Sequence, residues 1–136
     1  MAEPVLIDSN IILDTATDGA DWADWSARRL AEIAMDSVLV INPIIYAEVS
    51  VRFARIEELD SALPTALFTR EPLPYEAGFL AGICFLEYRR RGGQRRSPLP
   101  DFYIGAHAAI AGYRLLTRDA GRFRKYFPGL DIIAPD

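Results

Sequence analysis

Short apolar runs alternate with amphipathic stretches along almost the whole chain. Val5-Leu6-Ile7, opened by Pro4 and closed by Asp8, is aliphatic without polar alternation, the pattern of a strand buried on both faces. Ser9 or Asn10 can cap a helix through Ile11, Ile12 and Leu13. From Asp21 the spacing of Trp22, Trp25, Arg29 and Ile33 predicts an amphipathic helix to about Met35, with both indoles on one stripe. Val38–Ile41 reads as a second buried strand. Asn42 then caps a helix whose first residue is Pro43 and which runs past Glu48 toward Phe53. Residues 56–68 look helical, with a break at Pro64. The next helix starts near Pro74 and is stopped by Gly92-Gly93. Ser97-Pro98-Leu99-Pro100 forms a stiff loop that delivers Asp101 to a small-residue helix ending near Gly112. A third strand at residues 115–117, a short helix at 120–126 and a fourth strand at 131–133 complete the pattern. Strands alternating with helices predict a parallel sheet covered on both faces, in one α/β domain over residues 1–136.

Composition agrees with a self-sufficient core: 136 residues, 51% hydrophobic and 25% charged, exclude a disordered or disulfide-stapled chain. Cys84 is the only cysteine, so no internal disulfide can form, and a reducing compartment is the simpler expectation. The longest uncharged apolar run, Ala77–Leu86, is about half of what spans a bilayer. No basic segment precedes an apolar one at the N-terminus. A cytoplasmic protein that does not engage membranes is therefore expected.

The net charge of −4 makes bulk attraction to nucleic acid weak, so the placement of the charges matters more than their sum. In an open parallel sheet, ligands bind beyond the carboxyl ends of the strands. Asp8 closes the first strand there and Asp119 lies two residues beyond the third. Glu48 sits in the helix leaving the second strand, and Asp101 starts the helix before the third. Without these four the chain carries 15 acids and 15 bases. Two unit charges 4 Å apart repel by about 4 kcal/mol at an effective dielectric near 20, so converging acids need a cation or raised pKa values. Oxygen donors without Cys or His suit Mg²⁺ or Mn²⁺ rather than zinc. Taken singly, Asp101 also fits the helix dipole, Asp119 an N-cap and Glu48 a solvated face. Asp8 is the hardest to explain away, because a lone charge ending a buried strand is costly.

In this order and spacing, Val5-Leu6-Ile7-Asp8-Ser9-Asn10, Ile44-Ile45-Tyr46-Ala47-Glu48-Val49, Leu99-Pro100-Asp101 and Leu116-Thr117-Arg118-Asp119 with Arg122-Phe123 resemble the PIN-domain nucleases. They are most similar to the VapC-type toxins of bacterial toxin–antitoxin pairs. The resemblance implies a three-layer sandwich, a short parallel sheet of four or five strands flanked by helices. It also implies a Mg²⁺- or Mn²⁺-dependent endoribonuclease that hydrolyses RNA with an activated water, a cognate antitoxin as partner, and homodimers. Asp8, Glu48, Asp101 and Asp119 match the acidic quartet that holds the metal and performs the chemistry. Asn10 and Thr117 match supporting polar positions. On that reading, activity should be weak in chelator.

Arg89, Arg90, Arg91, Arg95 and Arg96 cluster around Gly92-Gly93, as either a solvated helix end or a basic surface for RNA phosphates. Arg118, Arg122 and Arg124 could extend that surface. His107 and Cys84 read as packed residues, and Asp14, one turn beyond Asn10, as a solvated helix acid or as one that hydrogen-bonds toward the site. Gly78 and Gly82 have a spacing that suits close helix packing or a dimer seam. Trp22, Trp25, Phe53 and Ile56 suit the core or a groove for an antitoxin segment. Two rival functions are a catalytically silent PIN-like module acting through a partner protein and a Mg²⁺-dependent phosphotransfer or receiver domain. Asn10 stands where the dehalogenase-like pattern needs a second aspartate, and Lys125 is poorly placed for a receiver.

Overall fold

The structure, a computed structural model, describes residues 2–17, 19, 21–93 and 98–135. Within them lie five strands, β1 (Glu3–Ile7), β2 (Ser37–Ile41), β3 (Phe68–Arg70), β4 (Arg114–Leu116) and β5 (Ile132–Ile133). They are flanked by seven helices, α1 (Ser9–Ala16), α2 (Ala23–Ala34), α3 (Pro43–Ser50), α4 (Ile56–Ala62), α5 (Tyr75–Arg90), α6 (Leu99–Ala111) and α7 (Gly121–Tyr126). The strands form one parallel sheet in the order β3-β2-β1-β4-β5. Val5, Leu6, Ile7, Leu39, Val40, Leu115 and Leu116 are buried, as the unalternating apolar runs require. This is the short parallel sheet flanked by helices that the resemblance implies.

Strand register fixes the polar edge of the sheet. Leu6 lies beside Val40 and Leu115, and Ile7 beside Leu116. The ladder continues one step, with Asp8 N–H donating to Leu116 O at 2.9 Å and Thr117 N–H to Ile133 O at 3.0 Å. Asn42, Asp8 and Thr117 are therefore the first residues beyond β2, β1 and β4 on a common edge. The chain leaves β1 toward β2 on one side and returns through β4 on the other, so Asp8 and Thr117 flank the point where strand order reverses.

Some boundaries differ from expectation. Residues 56–68 are not one helix: Pro64 ends α4, Leu67 and Phe68 N–H turn back onto Pro64 O, and Phe68–Arg70 becomes the edge strand β3. Only Phe68 of that strand is buried, so its three residues carry almost no periodic signal. The helix after Asn42 stops at Ser50, short of Phe53. Neither Ser9 nor Asn10 caps α1; Asp8 does, its Oδ1 accepting from Ser9 N–H at 2.7 Å. Helix α6 ends at Gly112, whose φ of 73° is the left-handed cap. Gly105, within α6, has no room for a Cβ against the Phe127 ring.

The core runs from the sheet into Ile11, Ile45, Val49, Leu63, Phe102, Ile104 and Phe123. Cys84 and His107 are buried in it, as expected. Of the Gly78/Gly82 pair, Gly78 faces Tyr103 of α6, whereas Gly82 faces open space. None of the described helices is long and apolar enough to cross a membrane.

Candidate active site and its family

Asp8 is 4% exposed and sits at the centre of the polar edge. Thr117 donates its hydroxyl proton to Asp8 Oδ2 at 2.8 Å. The same oxygen of Thr117 accepts from Asp119 N–H at 3.1 Å and Asn10 Nδ2 at 3.3 Å, so the one proton and both lone pairs of the buried hydroxyl are used. Asn10 Oδ1 in turn accepts from Arg118 N–H at 3.2 Å. Asn10 thus reaches Asp8 only through Thr117. Ser9 couples two acids that lie 40 residues apart: its hydroxyl donates to Glu48 Oε1 at 2.9 Å and lies 3.4 Å from Asp8 Oδ1.

The energetics bear the marks of crowded negative charge. Burial pushes the Asp8 carboxyl up from 3.8 to about 7; the Thr117 hydrogen bond opposes the shift, and the charges of Asp101 and Glu48 add to it. Glu48 is also raised, first by burial and then by Asp101, against its bond from Ser9. Asp8, Glu48 and Asp101 are therefore brought close enough to act on one another from β1, α3 and α6. Asp119 is exposed, and its charge is not among those acting on Asp8 or Glu48. What binds it to the site is its backbone, through Thr117. Nor does it cap α7, which has no side-chain cap.

Among the described residues no three or more of these side chains are gathered tightly enough to enclose an ion as they stand. The donor set still fits Mg²⁺ or Mn²⁺. These are hard oxygens, one of them on a buried acid whose ionised form is unfavourable alone, and Mg²⁺ binds through one or two carboxylates while keeping several waters. Cations are indeed drawn there: Arg122 Nη1 lies 2.7 Å from Asp101 Oδ2.

The structure treats the other polar residues differently from expectation. Asp14 is not solvated; it is buried on α1, accepting from Ser26 Oγ at 2.7 Å and from Arg118 Nε at 2.8 Å. Its position four residues after Asn10, on the same helical face, was the available signal. Arg118 accordingly commits its Nε to this internal contact, and its side chain is about a third exposed, at 32%. Arg89 and Arg90 are exposed at the end of α5. Arg91 pairs with Glu87 at 2.8 Å and stacks over Tyr126. Arg95, Arg96 and Ser97 lie outside the described residues. Ser9 as the Asp8–Glu48 bridge was not foreseen, although its place beside Asp8 hinted at it.

A second buried polar group holds α3 against α6. Asn42 Oδ1 accepts from Ile45 N–H at 2.9 Å, which turns its amide nitrogen toward His107 Nδ1 at 3.0 Å. That nitrogen of His107 is therefore the acceptor, and its proton is on Nε2, 3.7 Å from Glu71 Oε1. Tyr113 also donates to Glu71. Burial holds the imidazole below its ordinary pKa, opposed by Glu71, so it is neutral. A cavity of about 530 Å³ opens at the opposite, amino end of the sheet beside Glu3, Arg114 and Asp131, away from all four acids.

No curated protein gives a significant match. Solved structures do. VapBC2 from Rickettsia felis, bound to a DNA fragment from its promoter, is 19% identical with a TM-score of 0.73, over 98% of this chain and 99% of that one. A toxin–antitoxin complex from Klebsiella pneumoniae is 25% identical, TM-score 0.62, over 97% and 98%. VapC20 from Mycobacterium tuberculosis, a toxin that cleaves the sarcin-ricin loop, is 14% identical, TM-score 0.67, over 96% and 99%. The family model for the PIN domain matches residues 5–127, which hold β2, β3, β4, most of β1 and all of the polar edge, and the chain belongs to the PIN domain family.

Proposed function

We propose that this chain is a Mg²⁺- or Mn²⁺-dependent endoribonuclease, the VapC-type toxin of a toxin–antitoxin pair, acting on RNA in the cytoplasm. The observation that carries the reading is the buried Asp8 with Glu48 and Asp101 acting on it from two other elements, where strand order reverses. A bound divalent ion supplies a water of lowered pKa and stabilises charge on the leaving oxygen. Asp8 and Asp101 would hold the ion, with Glu48 directly or through water. Thr117 and Ser9 fix the orientations of Asp8 and Glu48, and Asp119 would complete the shell or orient the attacking water. Arg89, Arg90 and Arg91, with Arg95, Arg96 and the free edge of Arg118, offer cations to the RNA backbone.

Two surfaces support the partners of this reading. The cavity of about 300 Å³ between α3 and α4, lined by Phe53, Ile56 and Leu59, suits an apolar antitoxin segment. Helix α5 buries Ala77, Ala81 and Cys84, yet exposes a second apolar stripe of Tyr75, Phe79, Ile83 and Leu86. Its first turn carries Glu76 and its last Arg89 and Arg90, so two copies packed antiparallel would bring unlike charges together. A promoter-bound VapBC complex and a sarcin-ricin-cleaving toxin share this fold.

The test is RNA cleavage by wild type and Asp8→Asn with Mg²⁺, Mn²⁺ or chelator. Cleavage with metal, lost in chelator and in the variant, is expected. Equal cleavage by the variant removes Asp8 from the mechanism. A wild type that cuts no RNA with Mn²⁺ leaves a binding module.

A further inference from the structure

Arg122 forms an ion pair with an acid that the proposed chemistry needs for metal. Its Nη1 lies 2.7 Å from Asp101 Oδ2, and both side chains are only partly covered, at 40% and 34% exposure. The pair joins separate elements, the first turn of α6 and the first turn of α7. A guanidinium beside Asp101 offsets the repulsion that Asp101 exerts on Asp8 and Glu48. It also occupies a carboxylate oxygen that a divalent ion would use. Half-exposed pairs of this kind are weak, so a divalent ion can displace the arginine. A second seat is at hand: the guanidinium carbon is 5.9 Å from the centre of the Tyr88 ring, within cation–π range. Leaving Asp101 therefore does not require Arg122 to leave the rim.

We infer that Arg122 is a built-in counter-ion of the acidic site, which holds Asp101 while no divalent ion is bound and competes with that ion for the carboxylate. This rests on the metal-dependent reading of the site and adds to it a residue that sets the metal affinity. Arg122 is then a positioning residue for Asp101. The single positive charge stabilises the ion-free site and weakens metal binding by the same interaction, since a ligand must overcome whatever holds its site in the free protein.

The experiment is calorimetric titration of the full chain with MnCl₂, without RNA. Arg122→Gln is expected to bind Mn²⁺ roughly two- to fivefold more tightly than wild type, the factor an exposed ion pair contributes. Asp101→Asn is expected to bind it more weakly, and adding Arg122→Gln to Asp101→Asn to change nothing further. An unchanged affinity in Arg122→Gln, with Asp101→Asn weakened, overturns the counter-ion role and leaves the metal-dependent reading standing. The same gain with Asp101 already removed also overturns it, because bulk charge would then be the cause. Absence of Mn²⁺ binding by wild type sinks both. Arg122→Lys keeps the charge and can make the same single contact, so it should bind Mn²⁺ like wild type. If the glutamine variant fails to fold, Arg122→Met takes its place with the same expectation, and a methionine variant with wild-type affinity overturns the role.

Discussion

Asp8 spends stability for chemistry at the level of a single carboxyl group. Its pKa in the folded chain is raised from 3.8 to about 7, so its contribution to stability is fully present below 3.8 and lost as the pH rises through about 7. The loss is at most about 4 kcal/mol, at 1.36 kcal/mol per unit. In chelator, Asp8→Asn should therefore melt several degrees above wild type at pH 8, with the difference vanishing near pH 4; melting curves across that range check it. Thr117→Val keeps the shape but removes the donor to Asp8 Oδ2. Asp8 should titrate still higher, moving the pH midpoint of metal-free melting upward, and cleavage near pH 7 should fall about 10–100-fold, as outer-shell losses do. Asp8 was legible in the sequence because a charged residue ending a buried strand is conspicuous, whereas Glu48, Asp101 and Asp119 stood out only by their joint placement. The bridging contacts of Ser9 and Asp14 were not legible, since a polar residue on a short helix looks the same whether its partner is water or a side chain many positions away.

At the scale of elements, the helices carry acids into place and their ends matter more than their middles. Asn42 caps α3, which carries Glu48, and through His107 ties α3 to α6, which carries Asp101. Asn42→Ala removes a cap and leaves a buried imidazole nitrogen without its donor. It should cost about 2–3 kcal/mol, read from denaturant midpoints at constant m. Helix starts marked by Pro43 and stops marked by Gly92 and Gly112 were readable because backbone chemistry acts locally. Strand β3 was not, because three residues with one buried side chain become a strand only through pairing with β2.

For the whole molecule, the unpaired apolar stripe on α5 is the feature that a lone chain leaves unexplained. Phe79→Asp places a charge on its centre. It should turn a dimer into a monomer in sedimentation equilibrium while leaving the melting temperature of the monomer within about a degree, since Phe79 is 72% exposed and buries little within its own chain. A wild type that is already monomeric at high concentration would assign the stripe to another partner.

The order of short apolar runs and helix signals, read from the chain alone, determined an α/β fold with acids at the carboxyl edge, because periodicity and capping are properties of neighbouring residues. Tertiary structure alone decided that Thr117 meets Asp8, that Ser9 reaches Glu48 and that Arg122 takes Asp101. Those contacts depend on strand register and helix placement across as many as 109 positions, and no local pattern encodes a distance between segments that far apart.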